Sequence, residues 1–306
     1  MDFAQYSFIM IGGTTRAGTT SLYKYLSDHK DVSAASQKET RFFLDADYPS
    51  PYPISFRHDR DPIEKYFEYF ADRRKICMEA TPDYLYSPGT PERVKKSLGD
   101  VKWIFILRDP IERLISWFHF GRQMGELTPE IGLQEFVTLQ LNSSSPHPKQ
   151  VFRTLQQGCY STYLRPFYDL FGRENVLLLS FGALEREPMA VMKQVCGFAG
   201  IDSSTYEDYN FSQFNASRPL KRVGRFEQIY NAYAVRLYLR VYNKPRIRKV
   251  LRFLKLHLVE PLYYRIKVDK NKQEDIAVGL RRKLEEYYAG ELERLSNLCG
   301  QDFSWE

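Results

Sequence analysis

Along the first two hundred residues, apolar positions follow two rhythms. Short unbroken apolar runs alternate with stretches in which apolar residues recur every three or four positions. Ser7–Gly13 (SFIMIGG), residues 76–81 (ICMEAT), 101–107 (VKWIFIL) and 175–181 (NVLLLSF) are of the first kind. They are too short for helices and predict four buried strands. The second rhythm predicts helices over residues 19–29, from about Pro110 onward, where proline suits a first helical turn, and over 188–199. Strands alternating with helices predict an α/β fold with a mostly parallel sheet flanked by helices. Beyond about Ser203 the strand pattern stops and helical periodicity runs to Leu298. The expected organisation is one domain, with an α/β core over 1–202 and a helical C-terminal elaboration over 203–306. Proline and serine crowd residues 48–53 (YPSPYP) and 142–148 (NSSSPHP), which read as surface loops.

Composition narrows this only a little. With 43% hydrophobic and 27% charged residues, the chain has the makings of a sizeable core and is unlike a disordered protein. A net charge of +6 suits an anionic ligand, nucleic acid or a membrane surface without choosing among them. Cys77, Cys159, Cys196 and Cys299 are far apart and show no metal-ligand spacing, so free thiols in a reducing compartment are expected. No apolar run approaches the roughly 18 residues that span a bilayer. Met1 lies so close to the first strand that no signal peptide is expected, and a cytoplasmic location follows as the default.

The turn between the first strand and the first helix carries the chemistry. Gly13-Thr14-Thr15-Arg16-Ala17-Gly18-Thr19-Thr20 nearly reproduces GxxxxGK[ST], but Thr19 stands at the lysine position. Backbone N–H groups and the positive end of a helix hold anions at such a turn. Without that lysine, which an NTPase extends to the β- and γ-phosphates, ATP or GTP chemistry is disfavoured. The cation has moved to Arg16, which suits a shorter phosphosulfate. A second candidate anion site is Arg108 at the end of the third predicted strand, with Ser116 one to two turns into the next helix. Strand ends in open α/β sheets face one crevice, so both features should meet there. Each also admits a bland reading: glycines serving an ordinary turn, and an Arg108–Asp109 ion pair beside a packed serine.

Residues 14–22 (TTRAGTTSL), 38–43 (KETRFF), 79–93 (EATPDYLYSPGTPER) and 108–116 (RDPIERLIS) occur in an order that resembles PAPS-dependent sulfotransferases. The likeness is greatest to the heparan sulfate sulfotransferase branch and its bacterial relatives, with some similarity to tyrosylprotein sulfotransferases in the first two motifs. It continues through Gly158-Cys159-Tyr160, residues 179–188 and 301–305 (QDFSW). The resemblance implies a P-loop, nucleoside-kinase-like fold that moves a sulfuryl group from 3′-phosphoadenosine 5′-phosphosulfate (PAPS) to a hydroxyl. By that resemblance Arg16, Ala17, Gly18, Thr19, Thr20 and Ser21 bind the 5′-phosphosulfate. Arg108 and Ser116 bind the 3′-phosphate, Tyr160 contributes to the nucleotide site, and Glu39 is the base that takes the acceptor proton. Two departures stand out: Arg16 replaces the lysine of the heparan enzymes, and Ala80 replaces a lysine they place beside the acceptor. A polysaccharide acceptor is therefore not carried over. The acceptor expected is a hydroxylated small molecule, saccharide or lipid.

Around this centre, Phe42, Phe43, Tyr84 and His119 are candidate acceptor contacts, against the plainer reading of packed core side chains. Arg218, Lys221 and Arg222 form a candidate basic loop over the nucleotide. From Arg236 to Lys255 the chain carries eight Lys/Arg residues and no acid, which suits either peripheral membrane contact or the basic face of packed helices. No metal and no nucleic-acid partner are expected. The alternatives are a P-loop kinase acting on a small metabolite, and a non-catalytic basic module binding nucleic acid or membrane.

Overall fold

The computed structural model describes residues 6–50, 54–70, 76–124, 126–128, 130–143, 153–211 and 276–306. Five parallel strands form one sheet in the order β2-β3-β1-β4-β5. They are β1 (Ser7–Gly13), β2 (Val32–Ala34), β3 (Ile76–Glu79), β4 (Lys102–Leu107) and β5 (Val176–Ser180). Four lie where the apolar runs predicted them. β2, only three residues long, was not foreseen: VSA carries too little pattern to be distinguished from a loop.

The helices are α1 (Thr19–Ser27), α2 (Ile63–Phe67), α3 (Thr90–Leu98), α4 (Pro110–Met124), α5 (Leu133–Leu141), α6 (Tyr160–Phe171), α7 (Phe181–Arg186) and α8 (Pro188–Ala199). After residues 212–275, which lie outside the described residues, come α9 (Val278–Tyr287) and α10 (Glu291–Cys299). The candidate basic loop of Arg218, Lys221 and Arg222, and the stretch from Arg236 to Lys255, fall in that interval.

Alternation along the strands gives the sheet two chemically different faces. Phe8 and Met10 of β1, with Trp103, Phe105 and Leu107 of β4, point into an aromatic core shared with Tyr66, Phe167, Phe171 and Leu295. The Trp103 and Phe105 rings both meet Phe167 at 4.8 Å in edge-on contacts. The opposite face is mostly aliphatic: Ile9, Ile11, Ile104, Ile106 and Leu179 pack with Leu22 and Leu26 of α1 and Val195 of α8. Each fully buried side chain of this size contributes roughly 1.5–3 kcal/mol. Both faces being covered explains why the strands read as unbroken apolar runs.

The C-terminal residues close the edge beside β5. Buried Glu291 of α10 accepts from Ser161 N (2.6 Å) and Ser161 Oγ (3.0 Å) of α6. Ser180 Oγ donates to the Trp305 carbonyl (2.6 Å), and the Trp305 ring lies 5.8 Å from that of Tyr160. Because every strand is parallel, the segments after β1, β2, β3 and β4 emerge along one edge, and most of the candidate residues are drawn from them.

Candidate active site

β1 ends at Gly13, and the turn that follows is pinned from several sides. Thr14 N donates to Ile106 O of β4 (2.8 Å). The Tyr86 hydroxyl donates to Gln157 O (3.1 Å), so the 2.5 Å bond between Thr14 Oγ1 and Tyr86 runs from threonine to tyrosine. Trp117 Nε1 on α4 donates to Thr15 Oγ1 (3.2 Å). Gly18 is left-handed (φ 84°), and a Cβ there would stand 2.8 Å from the Phe181 ring, so both conformation and space demand glycine. With Gly18 before it, α1 begins without a capping side chain. Its first turn therefore presents backbone donors and the positive helix end to the crevice.

Arg16 is left-handed too (φ 69°), an uncommon state for a residue with a Cβ and one that clusters at functional sites. Its Nε donates to Ser116 Oγ (3.1 Å), and its guanidinium lies 4.8 Å over the Phe120 ring. Ser116 and Phe120, four residues apart on α4, share one helix face. Arg108 follows β4, with its guanidinium 5.0 Å over Phe181 and its carbonyl held by the Tyr160 hydroxyl (2.8 Å). Burial, and then the positive charge of Arg108, push Arg16 down to about 10. Both cations are thus backed by aromatic rings, and they repel one another across a space that an anion would reconcile.

The segment carrying Glu39 is fastened to the end of β3. Ala80 N donates to Lys38 O (2.8 Å), Arg41 N to Thr81 Oγ1 (3.2 Å), and Thr40 N and Oγ1 to Glu79 Oε2 (3.3 and 2.8 Å). Glu79, 1% exposed, also accepts from Thr81 Oγ1 (2.7 Å) and from the hydroxyls of Tyr66 and Tyr84 (3.0 Å each). Burial pushes its carboxyl above the ordinary range despite these donors. Glu39 itself is 30% exposed. Its Oε1 meets Lys38 Nζ at 3.3 Å, and its Oε2 is bound by Arg41, which is left-handed at φ 56°. Burial raises the Glu39 pKa, but the charges and hydrogen bonds of Lys38 and Arg41 outweigh it and hold the carboxylate below its usual value. Lys38 Nζ also lies 3.4 Å from Thr19 Oγ1, so this ammonium ties the carboxylate to the first turn of α1.

Arg16, Ser116 and Arg108 therefore come together, and Glu39 joins them through Lys38. Gly18, Thr19, Thr20 and Ser21 form the turn and the start of α1, with Thr19 and Ser21 buried, as is Ala17. Four candidates are placed otherwise than as open contact residues. Phe42, Phe43 and Tyr84 are at most 1% exposed and pack in the aromatic core, where Tyr84 serves Glu79. Tyr160 is fully buried, and its hydroxyl holds the Arg108 carbonyl. His119 follows Ser116 by one turn of α4, its ring 5.4 Å from Phe118.

Sequence reasoning missed Lys38, Arg41, Glu79, Phe120 and Phe181. The i, i+4 spacing of Ser116 and Phe120 was a visible signal for one ring. Glu79 closes an otherwise apolar strand, an odd place for a carboxylate unless partners await it.

The family model described as "Sulfotransferase domain" matches residues 7–221. Over 119 residues the chain is 35% identical to "Membrane-associated sulfotransferase kil1" of Dictyostelium discoideum, covering 38% of this chain and 23% of that protein. Over 211 residues it is 27% identical to "Bifunctional heparan sulfate N-deacetylase/N-sulfotransferase 1" of Xenopus tropicalis, covering 64% and 22%. Over 214 residues it is 28% identical to "Heparan sulfate glucosamine 3-O-sulfotransferase 3A1" of Mus musculus, covering 70% and 51%. The matches thus span between about a fifth and a half of these relatives' lengths. A sulfotransferase from Alicyclobacillus acidocaldarius shares the fold, with a TM-score of 0.66 at 20% identity over 97% of both chains.

Proposed function

The chain belongs to the sulfotransferase domain family, and from that premise we propose that it moves a sulfuryl group from PAPS to a hydroxyl of a small molecule, saccharide or lipid. The observation that carries this reading is the pairing of two mutually repelling guanidiniums, Arg16 and Arg108, with a carboxylate reached through one lysine. A nucleotide with phosphoryl groups at both ends matches the cations. The carboxylate matches a proton that must leave the acceptor.

In this scheme the first turn of α1 and Arg16 hold the 5′-phosphosulfate, while Arg108 and Ser116 take the 3′-phosphate. The acceptor oxygen bonds to sulfur, the bond between sulfur and the bridging oxygen breaks, and the acceptor proton passes to Glu39. Adenosine 3′,5′-bisphosphate departs with the bridging electron pair. Fixed cations aimed at developing charge supply the main acceleration, and base assistance adds to it. No divalent ion is assigned a role, so activity is expected to survive EDTA. The cytoplasm, whose reducing poise suits four unpaired thiols, is the proposed compartment.

Calorimetry with adenosine 3′,5′-bisphosphate, AMP and ATP tests the donor. The charge-assisted bonds to a 3′-phosphate favour the bisphosphate over AMP by roughly 1.5–3 kcal/mol, and Arg108→Ala is expected to narrow that gap. Equal affinities in the wild type would remove the 3′-phosphate site and the donor with it. Preference for ATP would revive a kinase.

A further inference from the structure

Lys38 neither cradles the nucleotide nor takes the proton in that scheme, yet its ammonium occupies the junction between the two halves of the site. The loop lacks a lysine at Thr19, where an NTPase places the cation that reaches the transferred group. Lys38, from a separate segment, brings Nζ to 3.4 Å from Thr19 Oγ1. Its main chain is fixed by the Ala80 N bond to its carbonyl, so the side chain reaches from a firm base. Only 20% of that side chain is exposed.

The second contact of the same ammonium is Glu39 Oε1, at 3.3 Å. Arg41 holds Oε2. Both oxygens of the carboxylate thus face cations, whereas a general base needs one oxygen open to the acceptor hydroxyl.

We infer that Lys38 is a catalytic residue that responds to the donor. On PAPS binding, its ammonium passes from Glu39 Oε1 to the sulfonate oxygens at the start of α1. One contact then serves two ends: the sulfonate gains the cation that Thr19 cannot supply, and Oε1 becomes available to accept the proton. The inference rests on the proposed sulfuryl transfer. Its atoms balance as in that reaction: the proton ends on Glu39, the sulfuryl group on the acceptor oxygen, and Lys38 stays protonated throughout. Burial lowers the Lys38 pKa and the Glu39 charge opposes this, so the ammonium gains from any second anion brought alongside.

The mechanism separates two ligands that differ only in the sulfonate. Calorimetry on the full chain without acceptor would compare PAPS with adenosine 3′,5′-bisphosphate for wild type, Lys38→Met and Lys38→Arg. Lys38→Met is expected to lose roughly 10–100-fold in PAPS affinity, the worth of one charge-assisted hydrogen bond, with the bisphosphate unchanged within about twofold. Lys38→Arg is expected to keep most of the preference. With PAPS saturating, kcat of Lys38→Met should also fall at least about tenfold. Equal losses for both ligands, or PAPS affinity and kcat that do not change, would overturn the role of Lys38 while leaving the donor assignment standing. A wild type that binds neither ligand would remove the donor assignment and this inference together. Retained bisphosphate binding by Lys38→Met shows that the variant is folded.

Discussion

The two sides of the crevice solve opposite electrostatic problems. On the side of α1 and α4, Arg16 and Arg108 bring like charges together over the rings of Phe120 and Phe181. On the side of β3, Glu39 already sits between Lys38 and Arg41, and in the proposed reaction it acts only once one of these ion pairs opens. Both loops hold an arginine in the left-handed region, so backbone strain does not distinguish them. Charge balance does. In the proposed reaction this difference gives donor binding first place in the sequence of events.

The widest separation between the two sides is expected from Glu39→Gln. The amide keeps the shape and accepts a hydrogen bond, but it does not usefully take a proton. General-base assistance is worth about 10²–10⁴ in rate, so kcat should fall at least about 100-fold while bisphosphate affinity stays constant. The wild-type pH profile supplies a second check. Lys38 and Arg41 hold the Glu39 pKa below the ordinary carboxylate range, so the base stays ionised until pH falls below that range. The acid limb of kcat/KM is expected there and should be absent from the residual activity of Glu39→Gln. Near-normal kcat with chemistry rate-limiting would dismiss Glu39 as the base, and lost bisphosphate binding would make it a brace for the cation side.

Glu79→Ala attacks the same side from beneath. Five donors from Thr40, Thr81, Tyr66 and Tyr84 would lose their buried acceptor. Unsatisfied buried groups cost about 1–3 kcal/mol each before relaxation, so a loss on the order of 3 kcal/mol or more is expected. At about 2–4 °C per kcal/mol for chains of 150–250 residues, thermal unfolding would show this clearly. Activity should fall with the register of residues 38–41, while bisphosphate affinity, which belongs to the other side, holds within about twofold. Full activity in a soluble variant would mean that the loop keeps its place without the carboxylate.

How much of this was legible follows the same division. On the cation side Arg16, Arg108 and Ser116 were marked from local pattern, because they sit at fixed offsets from elements with strong periodicity, whereas the rings of Phe120 and Phe181 beneath them were not. The carboxylate side was only half read. Glu39 came from a family resemblance, and its neighbours Lys38 and Arg41 were not singled out, because long-range bonds to Glu79, Thr81 and Thr19 are what place this segment. Phe42, Phe43 and Tyr84 were left between two readings for the complementary reason: aromatic residues beside a site motif have no local feature that says which wall they face. Their burial belongs to the fold. The three-residue β2 escaped because its partner β3 lies more than forty residues further along the chain.

The smallest expected effect sharpens the comparison most, because it concerns stability without ligand. Folding lowers the Arg16 pKa to about 10, with burial first and Arg108 second. A base whose pKa is depressed on folding is charged at neutral pH at a cost to the folded state, and that cost fades only as pH rises through about 10. Arg16→Gly removes the cost and relieves a left-handed residue, which glycine adopts freely. Against this stand the lost Ser116 hydrogen bond and the contact with Phe120, each worth roughly 0.5–1.5 kcal/mol. These opposing effects nearly cancel, so the melting temperature without ligand should stay within about 2 °C of wild type. The rise produced by adenosine 3′,5′-bisphosphate, by contrast, should largely disappear, since that rise scales with affinity. A large fall in the ligand-free melting temperature, with the ligand-induced rise intact, would make Arg16 a structural brace of the turn and return the 5′-phosphate to the helix end alone.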